Sequence, residues 1–213
     1  MNVNFQYSKT LAIEGSILIL LGPVPTVGWV LAIIGIVLLL KATKELSYYY
    51  QDESINQNAW TGLKYYIVAV VAAAVAIGVG VISFATTGLF IGAPFAFTAG
   101  IVGGIIAIIA GLVVAFVFYV LAATHLKKAY ETLAQKTGEQ SFNTAGTLLM
   151  LGAYLTLLFG LGLLLIVVSW IFIVIGFSSM KPKEYQPYNG STNGYTPPPS
   201  PDQAMANQIS IAK

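Results

Sequence analysis

Three long apolar blocks, Leu11–Leu40, Tyr65–Ala123 and Ala145–Ser179, constrain this chain more than any motif does. Each is longer than the roughly 20 apolar residues that cross a bilayer core. Only 8% of the residues are charged and 57% are hydrophobic, against roughly 25% charged in soluble domains. The blocks therefore predict an all-α integral membrane bundle.

How often each block crosses depends on its interruptions. The first is broken by "LGPVPTVGW", residues 21–29. Gly22 suits a helix C-terminus, Pro23 and Pro25 stop the helix, and Thr26 is placed to cap a second one. A turn is preferred to a kink, giving spans of about 5–21 and 26–42. The second block would be about 90 Å long as one helix and must fold back. Its turn is placed in "TTGLFIGAP", residues 86–94, between spans 65–85 and 95–120. The third block has only Phe159-Gly160-Leu161-Gly162 as a turn signal, between spans 145–159 and 162–179.

Lysine placement supports this folding back. All ten basic residues are lysines, and they fall before, between and after the blocks. Cytoplasmic loops collect such residues. If each block crosses an even number of times, every lysine lies on one side. The expectation is six spans in three hairpins, with both termini cytoplasmic in a cell membrane. Lys9 followed by Leu11–Leu21 also has the outline of a signal peptide. Glu14 interrupts that stretch and "GPVPTVG" offers no cleavage site, so the segment is read as retained.

Two polar loops join the hairpins. The first carries Tyr48, Tyr49, Tyr50, Trp60, Tyr65 and Tyr66, a set that suits the headgroup level. Asp52 or Ser54 is placed to cap the helix that follows. The second loop, from Thr124, reads as helical to Lys136 and stops at Gly138. That helix is expected either on the membrane surface or against the first loop. Residues 181–213 are rich in Pro, Gly, Ser and Asn and read as a disordered cytoplasmic tail. Pro198-x-x-Pro201 matches a minimal polyproline ligand, and Asn189-Gly190-Ser191 is a sequon that the topology leaves unmodified.

Some classes of chemistry are excluded or disfavoured. Cysteine is absent, which removes disulfides, thiolate zinc sites and thiol nucleophiles. A single histidine, His125, cannot build a multi-histidine metal site. A net charge of +2 without a basic stripe gives no reason to expect nucleic acid. No catalytic, cofactor or metal site is expected, and no enzyme.

Glu14 is the sharpest polar signal, about nine residues into span one. A carboxylate at mid-bilayer is costly. It is the candidate for a transport role, the alternative being a neutral side chain bonded to a hydroxyl such as Thr147, Thr156 or Ser83. Small residues draw the other pattern. Gly28 and Gly35 in span two, Gly162 and Gly176 in span six, and Gly100, Gly104, Ala107 and Gly111 in span four have helix-packing spacing. Ala69, Ala72, Ala73, Ala76 and Gly80 add a stripe on span three. An internal repeat is also readable. Gly15, Leu18, Leu20 and Leu21 match Gly152, Leu155, Leu157 and Leu158, while Gly28, Gly35 and Ala42 match Gly162, Ser169 and Gly176.

Gly15-Ser16-Ile17-Leu18, Pro25-Thr26-Val27-Gly28, Gly35-Ile36-Val37-Leu38-Leu39-Leu40 and Leu46-Ser47 resemble the opening of an archaeal family of multi-pass membrane proteins. That family is domain-of-unknown-function family 996. Thr144-Ala145-Gly146 and Ile175-Gly176-Phe177 resemble its closing hairpin. The resemblance covers roughly residues 5–180, implies an archaeal cell membrane, and brings no chemistry or site residues with it; Glu14 is not part of its pattern. The functional expectation is a membrane-embedded scaffold or accessory subunit, with a small transporter or channel using Glu14 as the alternative. The lipid bilayer, a second copy or another membrane protein, and a cytoplasmic partner of the tail are the expected company.

Overall fold

A computed structural model describes residues 4–87, 94–156 and 161–182. Among them are six helices and no strands: α1 (Phe5–Leu20), α2 (Gly28–Tyr50), α3 (Ser54–Thr87), α4 (Pro94–Thr137), α5 (Gln140–Thr156) and α6 (Leu161–Ser179). The turns expected near 88–93 and 157–160 and the tail beyond Pro182 lie outside the described residues.

The first block is two helices, as its proline-rich interruption predicts, but the turn is built differently from the expectation. The Gly22 amide donates to Ile19 O, 2.9 Å away. The left-handed position is Thr26, with φ 69, and Val27 precedes α2 without a side-chain cap. Thr26 therefore shapes the loop instead of capping the helix. Other boundaries follow the sequence. The Asn4 side chain accepts from the Gln6 and Tyr7 amides at the start of α1. Asp52 Oδ1 accepts from the Ser54 amide at 3.1 Å. Gly138 takes φ 76 and ends α4, where a left-handed residue closes a helix. The helix expected in the second loop is continuous with α4 to Thr137 and packs on the first loop, so it does not lie separately on the membrane.

The main contacts run around a closed cycle. Each helix packs on its chain neighbours, and α6 packs on α1. Three hairpins, α1–α2, α3–α4 and α5–α6, thus stand side by side. All six helices contribute to one core at the lysine-bearing end, including Phe5, Leu11, Leu46, Tyr50, Ile55, Tyr130, Leu133, Phe142, Phe177 and Met180. Phe142 stacks on Tyr130, with ring centroids 6.3 Å apart, and meets Phe177 edge-on at 4.8 Å.

The sequence repeat reappears as a repeat of burial. α1 buries Phe5, Ser8, Ala12, Gly15 and Ser16, and α5 buries Phe142, Ala145, Leu149, Gly152 and Ala153 at the matching positions. α2 buries Gly28, Gly35, Leu39, Ala42 and Thr43, and α6 buries Gly162, Ser169, Ile173, Gly176 and Phe177. Within each hairpin glycines bring the backbones together. A Cβ on Gly35 would lie 2.5 Å from Gly15 O, and one on Gly152 would lie 2.9 Å from Gly162 O.

The expectation of six full spans needs correction. Among the described residues three helices are long and apolar enough to cross a membrane: Ser54–Thr86, Gly100–Thr137 and Leu161–Ser179. α1 and α5 have 16 and 17 residues, and α2 carries Lys41, Lys44 and Glu45 in its second half.

Candidate functional site

Polar side chains gather at the lysine-bearing end, and the helices carry them into the seams between neighbouring helices. On the α1–α2 seam the Ser8 hydroxyl donates to Glu45 Oε2 at 2.7 Å, and the Lys41 ammonium donates to the Tyr7 hydroxyl at 3.0 Å. On the α1–α6 seam Lys9 donates to the Met180 carbonyl at 2.8 Å. The α3–α4 seam carries a ladder. Asp52 pairs with Lys136 at 3.0 Å, Ser54 lies 3.4 Å from Thr132, and Asn58 Oδ1 lies 3.2 Å from His125 Nδ1. Tyr65 then meets His125 and Phe118 with tilted rings, centroids 5.4 Å and 6.0 Å apart. These rungs recur at helical spacing, so they lie on one face of each helix.

Electrostatics at this end are local. The Ser54 hydroxyl and the Lys136 ammonium hold the Asp52 carboxyl below its ordinary value. Tyr50 is 3% exposed, and burial, with Tyr49 beside it, pushes its phenol up to about 12. Tyr50 therefore belongs to the core and not to an interfacial belt, whereas Tyr48 and Trp60 are exposed.

Sequence reasoning missed the partners of several of these groups. It reads His125 only as unable to build a multi-histidine metal site and assigns nothing to Glu45 or Asn58. The available signal was helical spacing within each helix, Ser54 to Asn58 on α3 and Lys136, Thr132 and His125 on α4. The register between the two helices decides which of these residues meet, and their own spacings do not contain it.

The nominated residues are dispersed. Glu14 is exposed on α1, opposite the face that buries Leu11, Ala12 and Gly15. Thr147 and Thr156 lie on α5 and Ser83 on α3, helices that make no main contact with α1. Gly28 faces the Leu21 and Gly22 carbonyls, Gly35 faces Gly15, Gly162 faces Gly152 and Thr156, and Gly176 faces the Phe142 ring. In α4, Gly104 faces Ser83 and Gly111 faces Ala76, while Gly100 and Ala107 are half-buried. Gly103 opens onto empty space. On α3 the seam is Ile55, Gly62, Ala69, Ala76 and Gly80. Gly22, Pro23 and Pro25 sit in the α1–α2 turn, as expected.

A cleft of about 190 Å³ opens between the end of α4 and the start of α5, lined by Glu131, Ala134, Gln135, Gln140 and Asn143. Sites for small organic molecules enclose roughly 300–1,000 Å³ with a mostly apolar lining. This cleft is smaller, and polar side chains line it on all sides but Ala134. Among the described residues no three His, Asp or Glu side chains are grouped to hold a metal ion.

Comparison with known proteins adds a family and no chemistry. The profile of a family described as "Protein of unknown function (DUF996)" matches residues 31–171. An uncharacterized protein of Methanocaldococcus jannaschii, MJ1644, is 27% identical over 154 residues, which cover 72% of this chain and 81% of the relative. No solved structure matches the chain.

Proposed function

This chain belongs to the DUF996 family of unknown function, and from that premise we propose that it is a membrane-embedded scaffold or accessory subunit, acting through its lysine-bearing face. One observation carries this reading. The polar groups that could do chemistry are spent on joining helices: Ser8 on Glu45, Lys9 on Met180 O, Asp52 on Lys136 and His125 on Asn58. Enzymes instead converge such groups on a cavity. The reading therefore includes no catalysis.

The hairpin order supports both termini and both polar loops on one side. Lysines collect on the cytoplasmic side, so that side is the cytoplasm of a cell membrane. Lys44, Tyr48, Trp60 and Lys128 are exposed there and offer contacts to a soluble partner or to a second membrane protein. The exposed position of Glu14 gives a scaffold no task for that carboxylate.

Affinity purification from native membranes in mild detergent tests the proposal. The expected result is a stoichiometric partner, or a defined oligomer, lost on Lys44→Glu with Lys128→Glu. A partner-free protein that carries a Glu14-dependent ion flux in liposomes would overturn it.

A further inference from the structure

The lower ends of the helices are level with one another. The Asp52–Lys136 pair at 3.0 Å brings the α2–α3 turn beside the α4–α5 turn. Phe5 meets Tyr49 at 5.0 Å, and Lys9 reaches the carbonyl of Met180 just beyond α6. Heights along each helix can therefore be read from a common base, at about 1.5 Å per residue.

From that base, charge stops at one height. The last charged residue is Glu14 on α1, Lys41 on α2, Lys64 on α3 and Lys127 on α4, reading upward. Each lies about nine or ten residues from its helix's lower end, or roughly 14 Å up. α5 and α6 carry no charge, but Trp170, an interfacial residue type, sits at the same height on α6. Five of the six helices thus agree on one plane, and it has the composition of a membrane–water boundary.

Above the plane the helices differ greatly in reach. α3 continues for about 34 Å and α4 for about 50 Å, enough for a hydrocarbon core of about 30 Å. α2 continues for only about 20 Å, α6 for about 13 Å, and α1 and α5 for about 10 Å. Side-chain contacts agree. α5 packs on α4 through a cluster of Ala123, Leu149 and Ala153, with Tyr119 against it. α3 and α4 stay paired to Gly104 against Ser83, about 22 Å further along. α6 has the length to cross, but it spends half of that length below the plane.

We infer that α1–α2 and α5–α6 are half-membrane hairpins that enter and leave on the lysine side, and that the protein is a wedge that bends its membrane. Six helices occupy the near half of the lipid and two occupy the far half. The difference is four helix cross-sections, roughly 300–450 Å² for cylinders about 10–12 Å across. A leaflet that holds more inserted area becomes the convex one. The lysine side therefore belongs on the outside of a curve. Glu14 and Lys41 then lie at headgroup level, where their charge costs little. The inference goes beyond the scaffold reading and does not depend on any partner.

The chain has no cysteine, so single cysteines can be placed without background. In reconstituted vesicles, Val24→Cys in the α1–α2 turn and Leu161→Cys at the start of α6 are expected to resist impermeant maleimide from both sides. Gln57→Cys should react from the lysine side and Thr86→Cys from the opposite side. Spin labels at residues 24 and 161 should report mid-bilayer depth. Reaction of Val24→Cys from the Thr86 side would overturn the half-membrane hairpin. Curvature is read separately, as the fraction of Gln57→Cys facing outward in vesicles of about 30 and about 200 nm diameter. A bias at least about twofold greater in the small vesicles is expected. Equal fractions would overturn the wedge even if the hairpins are half-inserted. Failure of the affinity purification would leave both readouts unchanged.

Discussion

The lysine-bearing base and the upper α3–α4 hairpin use similar residues under opposite conditions. In the base, every helix meets two others, aromatic side chains fill the centre, and polar groups pair across the seams. In the upper hairpin each helix has one neighbour, and Val71, Val75, Ile82, Ile106, Ile109 and Val113 are exposed on the remaining faces. Glycine serves both regions, but its consequences differ. At Gly35 a side chain would run into the backbone of α1, whereas at Gly78 and Gly103 it would enter open space. An apolar residue type therefore does not reveal its role. What it faces does, and in lipid a face without a protein neighbour costs nothing.

The comparison can be broken most forcefully at Phe142. It is fully buried between Tyr130 and Phe177, so Phe142→Ala should cost about 3–5 kcal/mol. Ile82→Ala on the open face of the upper hairpin, where Ile82 is exposed, should fall within about 0.5 kcal/mol of the parent. Thermal melting in one detergent measures both, and similar losses would erase the distinction between the regions. Next comes Gly35→Leu, which should cost about 3 kcal/mol by forcing α1 and α2 apart. Gly78→Leu and Gly103→Leu should leave melting unchanged. A loss at Gly103 equal to that at Gly35 would mean that a protein neighbour covers the upper face.

Smaller effects sharpen the picture of the base. The Asp52 carboxyl is held low by Ser54 and Lys136, so its contribution is complete above the ordinary carboxylate value of 3.8. It is lost as pH falls through the lower folded value. Melting should therefore weaken below about pH 4, and Asp52→Asn should remove this site's share of the weakening. Because asparagine keeps the helix cap, that variant should cost under about 1 kcal/mol at neutral pH. The smallest change is expected in the α1–α2 turn. Thr26 is β-branched and holds φ 69, so Thr26→Gly should stabilise by about 0.5 kcal/mol, after glycine's own entropy is subtracted. Destabilisation would show that the turn relies on the threonine side chain.

Much of the fold was readable in advance. Membrane character, the hairpin turn after Leu21, the cap at Asp52 and the stop at Gly138 each follow from local chemistry. So does the repeat, although apolar sequences produce such matches easily and only the shared burial pattern distinguishes it from chance. Tyr50 was misplaced because a tyrosine's composition is the same in a belt as in a core. For Glu14 the structure adds that its side chain is exposed on α1; its depth in the bilayer belongs to the wedge proposal.

By itself the sequence determined what each segment tolerates: where backbone must be satisfied internally, where a helix can end, and which stretches cannot leave water. Those are short-range matters of hydrogen bonding, φ and solvation, and neighbouring residues decide them. Only the tertiary structure decided how high each helix stands, which polar groups meet, and which apolar faces find protein. These depend on register between segments far apart in the chain. Register is set by the fit of glycines such as Gly15 against Gly35 and by pairs such as Asp52 with Lys136, not by the properties of either partner alone.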